Sequence, residues 1–164
     1  MNLTKVKIVK GKFLHIEYTK DDKTVVVEDH KIEVHQDMIG AFSGMRIHFA
    51  ILADYVKIKE VPNAMKYDEG LVEAFRVTSY SIGGDDDDQG VTLTGVKTVP
   101  SGKTVTINTP FTRFNEAEES KYKHMDEVQE QIKTINSEVV KYLGGKVASD
   151  PQIKMDLPDP EEND

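Results

Sequence analysis

Asp37-Met38-Ile39-Gly40-Ala41-Phe42-Ser43-Gly44-Met45-Arg46-Ile47-His48-Phe49-Ala50-Ile51-Leu52-Ala53-Asp54-Tyr55-Val56 is the stretch where the hydrophobic period of this chain changes. Met38, Phe42, Met45, Phe49, Leu52 and Val56 recur at steps of four and three, which is one face of a helix. Ile39, Ile47 and Ile51 widen that stripe, so the helix is expected to be covered on most sides. Gly40 and Gly44 each cost ~1 kcal/mol against alanine in a helix interior, and their smallness would permit close approach of another element. Val61-Pro62-Asn63 ends the helical stretch.

Working back toward the first residue, the period is two. Val6, Ile8, Leu14, Ile16 and Tyr18 take even positions, while Lys5, Lys7, His15 and Glu17 take odd ones, with Phe13 the exception. That alternation is a strand signal. Gly11 is either a bulge in one long strand or the turn of a tight hairpin. Lys20-Asp21-Asp22-Lys23 is a polar turn, and Thr24-Val25-Val26-Val27 opens a further strand that could resume at Ile32-Glu33-Val34.

Working forward, three strands follow: 71–82, Val91–Val99 and Lys103–Thr109. The first two are joined by Gly83-Gly84-Asp85-Asp86-Asp87-Asp88-Gln89-Gly90, the last two by the turn Pro100-Ser101-Gly102. Val91, Leu93, Val105 and Ile107 share one parity, and Thr92, Thr94, Thr104 and Thr106 the other, giving an apolar inner face and a hydroxyl outer one. From about Glu116 to Leu143, Tyr122, Met125, Val128, Ile132, Ile135, Val139 and Leu143 recur at helical spacing. Asn115 is the expected cap, and Gly144-Gly145 the stop. Some 28 residues would extend about 42 Å, longer than a typical strand, so part of this helix could pair with a second copy.

Two amphipathic helices need a partner for their stripes, and an antiparallel sheet with one apolar face supplies it. The expected fold is α+β: about five antiparallel strands in the order ββ(β)-α-βββ-α, with both helices on one face. Residues 1–146 form one domain. Residues 147–164 read as an acidic, proline-containing tail without a core of its own, disordered or loosely attached.

Charge is distributed unevenly. The 164 residues carry 21 Lys plus Arg and 29 Asp plus Glu, a net of −8. Most of the excess lies in the tail, where Lys154 stands against Asp150, Asp156, Asp159, Glu161, Glu162 and Asp164. Met155-Asp156-Leu157-Pro158-Asp159-Pro160 within it also reads as a short docking peptide. The first twelve residues have the opposite sign, with Lys5, Lys7, Lys10 and Lys12 and no acid. Cysteine is absent, which excludes disulfides, thiolate metal sites and a cysteine nucleophile. No apolar run approaches the ~20 residues of a membrane-spanning helix, and the first residues lack the apolar stretch of a secretion signal. A cytoplasmic protein is expected.

Catalytic patterns are missing. Asp85, Asp87, Gln89 and Gly90 match the first, third, fifth and sixth positions of a calcium loop, but Val96 stands where a bidentate glutamate is required. His15, His30, His35, His48 and His124 form no zinc spacing. Neither nucleophile motifs nor phosphate-cradling glycine loops occur. Nothing in these patterns argues for an enzyme, a metal or a cofactor, which leaves only a site assembled from scattered residues as a route to catalysis.

Nucleic-acid binding has more support. Single-strand binders track phosphates with cations and stack bases on aromatic rings. Lys5, Lys7 and Phe13 share the outward parity of the first strands. Arg76, Lys97 and Arg113 lie on later strands and could join the same surface. Lysines on an exposed strand also have a second role, blocking edge-to-edge aggregation.

The runs His35-Gln36-Asp37-Met38-Ile39, Ile47-His48-Phe49-Ala50-Ile51-Leu52, Val77-Thr78-Ser79-Tyr80-Ser81-Ile82-Gly83-Gly84 and Thr109-Pro110-Phe111-Thr112-Arg113-Phe114 resemble patterns in small bacteriophage and prophage proteins. That resemblance implies an uncharacterised accessory of phage DNA metabolism, in replication or recombination, located in the host cytoplasm. It transfers no catalytic residues. The expectation is a non-enzymatic protein that binds single-stranded DNA. The alternative is a protein-interaction or virion-associated module that oligomerises through residues 116–143.

Overall fold

In the computed structural model, residues 1–148 are described. Three consecutive hairpin-linked strands open the chain: β1 (Asn2–Val9), β2 (Phe13–Lys20) and β3 (Lys23–Glu28). Two short helices follow, α1 (Gln36–Ser43) and α2 (Arg46–Leu52). Then come β4 (Phe75–Gly83), β5 (Gly90–Thr98), β6 (Thr104–Asn108) and β7 (Thr112–Arg113), and finally α3 (Met125–Leu143). All pairings are antiparallel, in one seven-stranded sheet of order β3-β2-β1-β4-β5-β6, with β7 alongside β5. The α+β class and the antiparallel sheet agree with the sequence pattern. The strand count exceeds the expected five because Lys23–Glu28 is a full strand and Thr112–Arg113 adds a short one.

Gly11 is the hairpin turn. Lys10 and Gly11 have φ of 56° and 74°, the left-handed pair a tight hairpin requires, and Val9 faces Phe13 across it. Ile32–Val34 does not resume β3; Val34 instead forms an isolated antiparallel bridge with Val147. The described residues run to Ala148, whose N–H donates to the Glu33 carbonyl. The remainder of the predicted tail, with its docking-peptide segment, lies outside the described residues.

The helix expected over 37–56 is broken at Gly44. Met45 N–H donates to the Phe42 carbonyl instead of the Ala41 carbonyl, and the Gln131 side chain of α3 donates its amide to Ala41 in its place, at 2.6 Å. Gly44 makes this possible, since a Cβ there would stand 2.5 Å from the Gln131 amide nitrogen. Gly40 plays no such part; nothing lies within 4 Å of its would-be Cβ. The stripe survives the break, with Met38, Phe42, Met45, Phe49 and Val56 all buried.

The last helix also starts late, at Met125 instead of Glu116, and so spans 19 residues. Tertiary bonds hold the preceding residues out of it: Tyr122 hydroxyl meets His48 Nδ1 at 2.9 Å, and His124 Nε2 donates to the Val61 carbonyl at 2.8 Å. Asn115 is therefore no cap. Strand β4 likewise begins at Phe75, because Glu69–Leu71 forms a 3-10 turn capped by the Asp68 carboxylate.

The core lies between the helices and one face of the sheet. Val6, Ile16, Tyr80, Val91 and Leu93 from the strands meet Met38, Phe49, Val128, Ile135 and Val139 from the helices, all almost fully buried. Each buried side chain of this size contributes roughly 1.5–3 kcal/mol. Val105, expected on the inner face, is 48% exposed, since β6 lies at the sheet edge. Among the described residues no helix is long and apolar enough to cross a membrane.

Candidate nucleic-acid interface

With the helices on one face, side chains of the opposite parity form the other. Strand register places them in two rows. One runs Glu28, His15, Lys7, Ser79, Thr94, Asn108; the next runs Val26, Glu17, Lys5, Ser81, Thr92. Lys5 and Lys7 are thus flanked by carboxylates and His15 on the β2 side and by hydroxyls on the β4 side. The hydroxyl half is bonded within itself, Thr94 Oγ1 to Asn108 Oδ1 at 2.6 Å and Thr78 Oγ1 to the Thr94 carbonyl at 3.2 Å. Ser79 is buried in the middle of its row.

The carboxylates are engaged. His15 contacts Glu28 at 2.7 Å through Nδ1 and Glu17 at 2.8 Å through Nε2, and His30 reaches Glu28 at 2.9 Å. Hydrogen bonds from His15 and then His30 hold the Glu28 carboxyl below the usual carboxylate range. Such exposed ion pairs contribute little to stability, but they leave Lys5 and Lys7 without a direct carboxylate partner within 4 Å among the described residues.

Two aromatic rings flank this face. Phe13, half-buried, has the His30 ring edge-on at 6.2 Å and the Lys12 ammonium 5.6 Å from its centroid. Phe111 was not singled out as a binding residue, yet it lies on the same side. Gly83 and Gly90 face each other across β4 and β5 at outward positions, and a Cβ on either would meet the Phe111 ring, at 3.5 and 2.8 Å. The ring lies over this glycine floor with 48% of its surface exposed. The recoverable signal was the equal outward parity of the two glycines. From the strand spacing and rise, Phe13 and Phe111 stand roughly 20–25 Å apart on the diagonal.

The other predicted residues divide. Arg76 is exposed on β4, opposite Val96 on the outward side, beside the β1–β2 turn. Lys97 is on the helix side: it pairs with Phe75, and its ammonium sits 4.5 Å from the Tyr55 ring centroid. Arg113 belongs to the acidic loop, bonding Asp88 Oδ1 at 2.6 Å and the Asp87 carbonyl at 3.3 Å. Lys5, Lys7, Phe13 and Arg76 therefore come to the outward side; Arg113, opposite Gly90, shares that side but is held by Asp88, and Lys97 lies on the helix side.

The aspartate run forms a 3-10 turn over Asp86–Asp88 held by Arg113, and no group of three or more metal-ligating side chains occurs among the described residues. His48, Tyr122 and His124 instead form a packed aromatic trio with centroids 5.7 to 6.3 Å apart. Burial pushes His48 down to about 4 and Tyr122 above its ordinary range. No family model matches this chain, nor does any curated protein or solved structure.

Proposed function

We propose that the helix-free face of the sheet binds nucleic acid, single-stranded DNA in particular, and that the protein is a non-enzymatic accessory of phage DNA replication or recombination. The observation that carries this reading is the meeting of Lys5 and Lys7 with the hydroxyl rows on a face that no helix among the described residues covers, flanked by exposed Phe111 and half-buried Phe13. Lysines neutralise phosphates, hydroxyls and amides position them, and rings stack on bases. Glu17 and Glu28 oppose a polyanion, so affinity is modest and strongly salt-dependent.

Fluorescence anisotropy with a labelled oligothymidine at low salt tests this. Binding that weakens steeply as salt approaches physiological strength supports it. No titration at protein concentrations on the order of tens of micromolar, within the range of nonspecific affinities, overturns it.

A second reading, self-association, rests on Val140 and Leu143, 58% and 48% exposed on the last turns of α3. The rest of the predicted oligomerising stripe, Met125, Val128, Ile132, Ile135 and Val139, is buried within the chain. Light scattering that shows a strict monomer removes this alternative.

A further inference from the structure

Main-chain groups of the sheet lack a strand partner at a seam and at two edges. At the seam, β1 and β4 pair at only three positions, Lys5 with Ser81, Val6 with Tyr80 and Lys7 with Ser79, and Ile39 and Phe42 of α1 line the gap beyond Lys7. At one edge, β3 carries Lys23 and Glu28 at its ends, charges of the kind that blunt an edge against pairing. At the other edge lies β6, Thr104-Val105-Thr106-Ile107-Asn108, with no charge, no proline and no register shift against β5. Among the described residues β6 pairs with β5 alone.

The register decides which main-chain groups of β6 are open. Val99 N–H donates to the Lys103 carbonyl and Thr109 N–H to the Leu93 carbonyl, so the bonded pairs fall on odd-numbered residues of both strands. The N–H and C=O groups of Thr104, Thr106 and Asn108 therefore point away from β5, and their side chains are exposed on the outward face. Val105 and Ile107 lie on the helix side. There Val105 stands opposite Lys97, whose ammonium rests on the Tyr55 ring, itself 49% exposed.

From Thr106, β6 reads nearly the same in both directions: a β-branched apolar residue on either side, then a small polar one. An antiparallel neighbour related by a two-fold axis at Thr106 sets Thr106 against the partner's Thr106, Val105 against the partner's Ile107, and Thr104 against the partner's Asn108. Every open main-chain group then meets its complement, in about six hydrogen bonds. Each side chain stays on its own face, and each apolar one meets an apolar one. A slip of one residue would break both matches.

We propose that β6 is a self-association edge, through which a second copy of this chain extends the antiparallel sheet across a two-fold axis at Thr106. The outward hydroxyl rows then run from one chain into the other through Asn108 and Thr104. The contact is isologous and closes at two copies. A five-residue strand pair is a small interface, in the weak and transient class. It does not involve Val140 or Leu143, and it holds whether or not the face binds nucleic acid.

Sedimentation equilibrium of the full chain, at concentrations up to about 1 mM, tests this. The mass should rise from 18.5 kDa toward twice that value. Thr106→Lys, at an exposed position, sets two ammonium groups directly opposite at the axis and should hold the mass at 18.5 kDa. Val140→Lys should leave the rise unchanged. Because the chain has no cysteine, crosslinking reads the register. Cα atoms of a hydrogen-bonded antiparallel pair stand about 5.5 Å apart, within disulfide reach, so Thr106→Cys should link two chains under oxidised glutathione. Thr104→Cys should not, since the partner's Thr104 lies about 14 Å along the strand. A strict monomer at the highest concentration, a dimer that survives Thr106→Lys, or a rise lost in Val140→Lys overturns the proposal. So does Thr104→Cys linking as readily as Thr106→Cys.

Discussion

Acidification should weaken this fold well before its carboxylates titrate, and His48 is the reason. Its ring is 3% exposed, faces Tyr122 and His124, and sits with Nδ1 2.9 Å from the Tyr122 hydroxyl. Burial, followed by the nearby His124, lowers its proton affinity from the ordinary 6.5 to about 4. In the unfolded chain the imidazole takes up a proton as pH falls below that ordinary value; in the folded chain it does not until about 4. Stability from this group is therefore fully present at neutral pH and above, and is lost progressively across the interval between the two values. The slope is ~1.4 kcal/mol per pH unit. Between pH 7 and 5 the loss is about 2 kcal/mol, approaching about 3 kcal/mol by pH 4. Glu28, Asp29, Asp37 and Glu138 are held below the ordinary carboxylate range and add their own losses only at lower pH. Urea unfolding followed by circular dichroism at pH 7 and pH 5 measures the difference directly. His48→Gln should be less stable than the native chain at pH 7, because glutamine fills the aromatic trio poorly, yet should lose far less between the two pH values. Parallel losses in both proteins would refute the reasoning.

Other substitutions separate the faces and the packing. Gly90→Ala places a Cβ 2.3 Å from the Thr112 carbonyl oxygen and 2.8 Å from the Phe111 ring; thermal unfolding should show a loss at or above the ~1–3 kcal/mol typical of overpacking. Tyr80→Phe removes the hydroxyl that donates to Asn136 from a fully buried ring, and chemical denaturation should report a cost of about 1–3 kcal/mol. Lys7→Ala should weaken oligonucleotide binding and reduce its logarithmic salt slope by about 1. Lys97→Ala should leave binding unchanged and cost stability by about 0.5–1 kcal/mol through its lost ring contact; equal effects of the two lysines on binding would contradict the assignment of faces.

Much of the architecture was legible in residue spacing. Period-two alternation located β1 and β2, and helical spacing located both stripes, because burial on one face constrains every second, third or fourth residue. Spacing did not reveal where helices begin or break. Tyr122 continues the α3 stripe numerically, but its hydroxyl is bound to His48 from another element, and such a bond has no local signature. The break at Gly44 depends on Gln131, far along the chain. For the candidate interface, parity alone would have moved Lys97 to the helix side, since it shares the parity of Val91 and Leu93. Arg113 was beyond reach: its ion pair with Asp88 exists only once β7 lies against β5.

The short seam between β1 and β4 has a kinetic consequence. Each flanking hairpin closes through a local turn and can form on the microsecond scale, whereas Val6 and Tyr80 must find each other across nearly half the polypeptide. Loop-closure entropy is charged before those few pairings return anything. The rate at which the native state assembles should therefore be governed by the junction of two preformed ribbons, with substitutions at Val6 or Tyr80 slowing refolding and those at the hairpin tips mainly hastening unfolding.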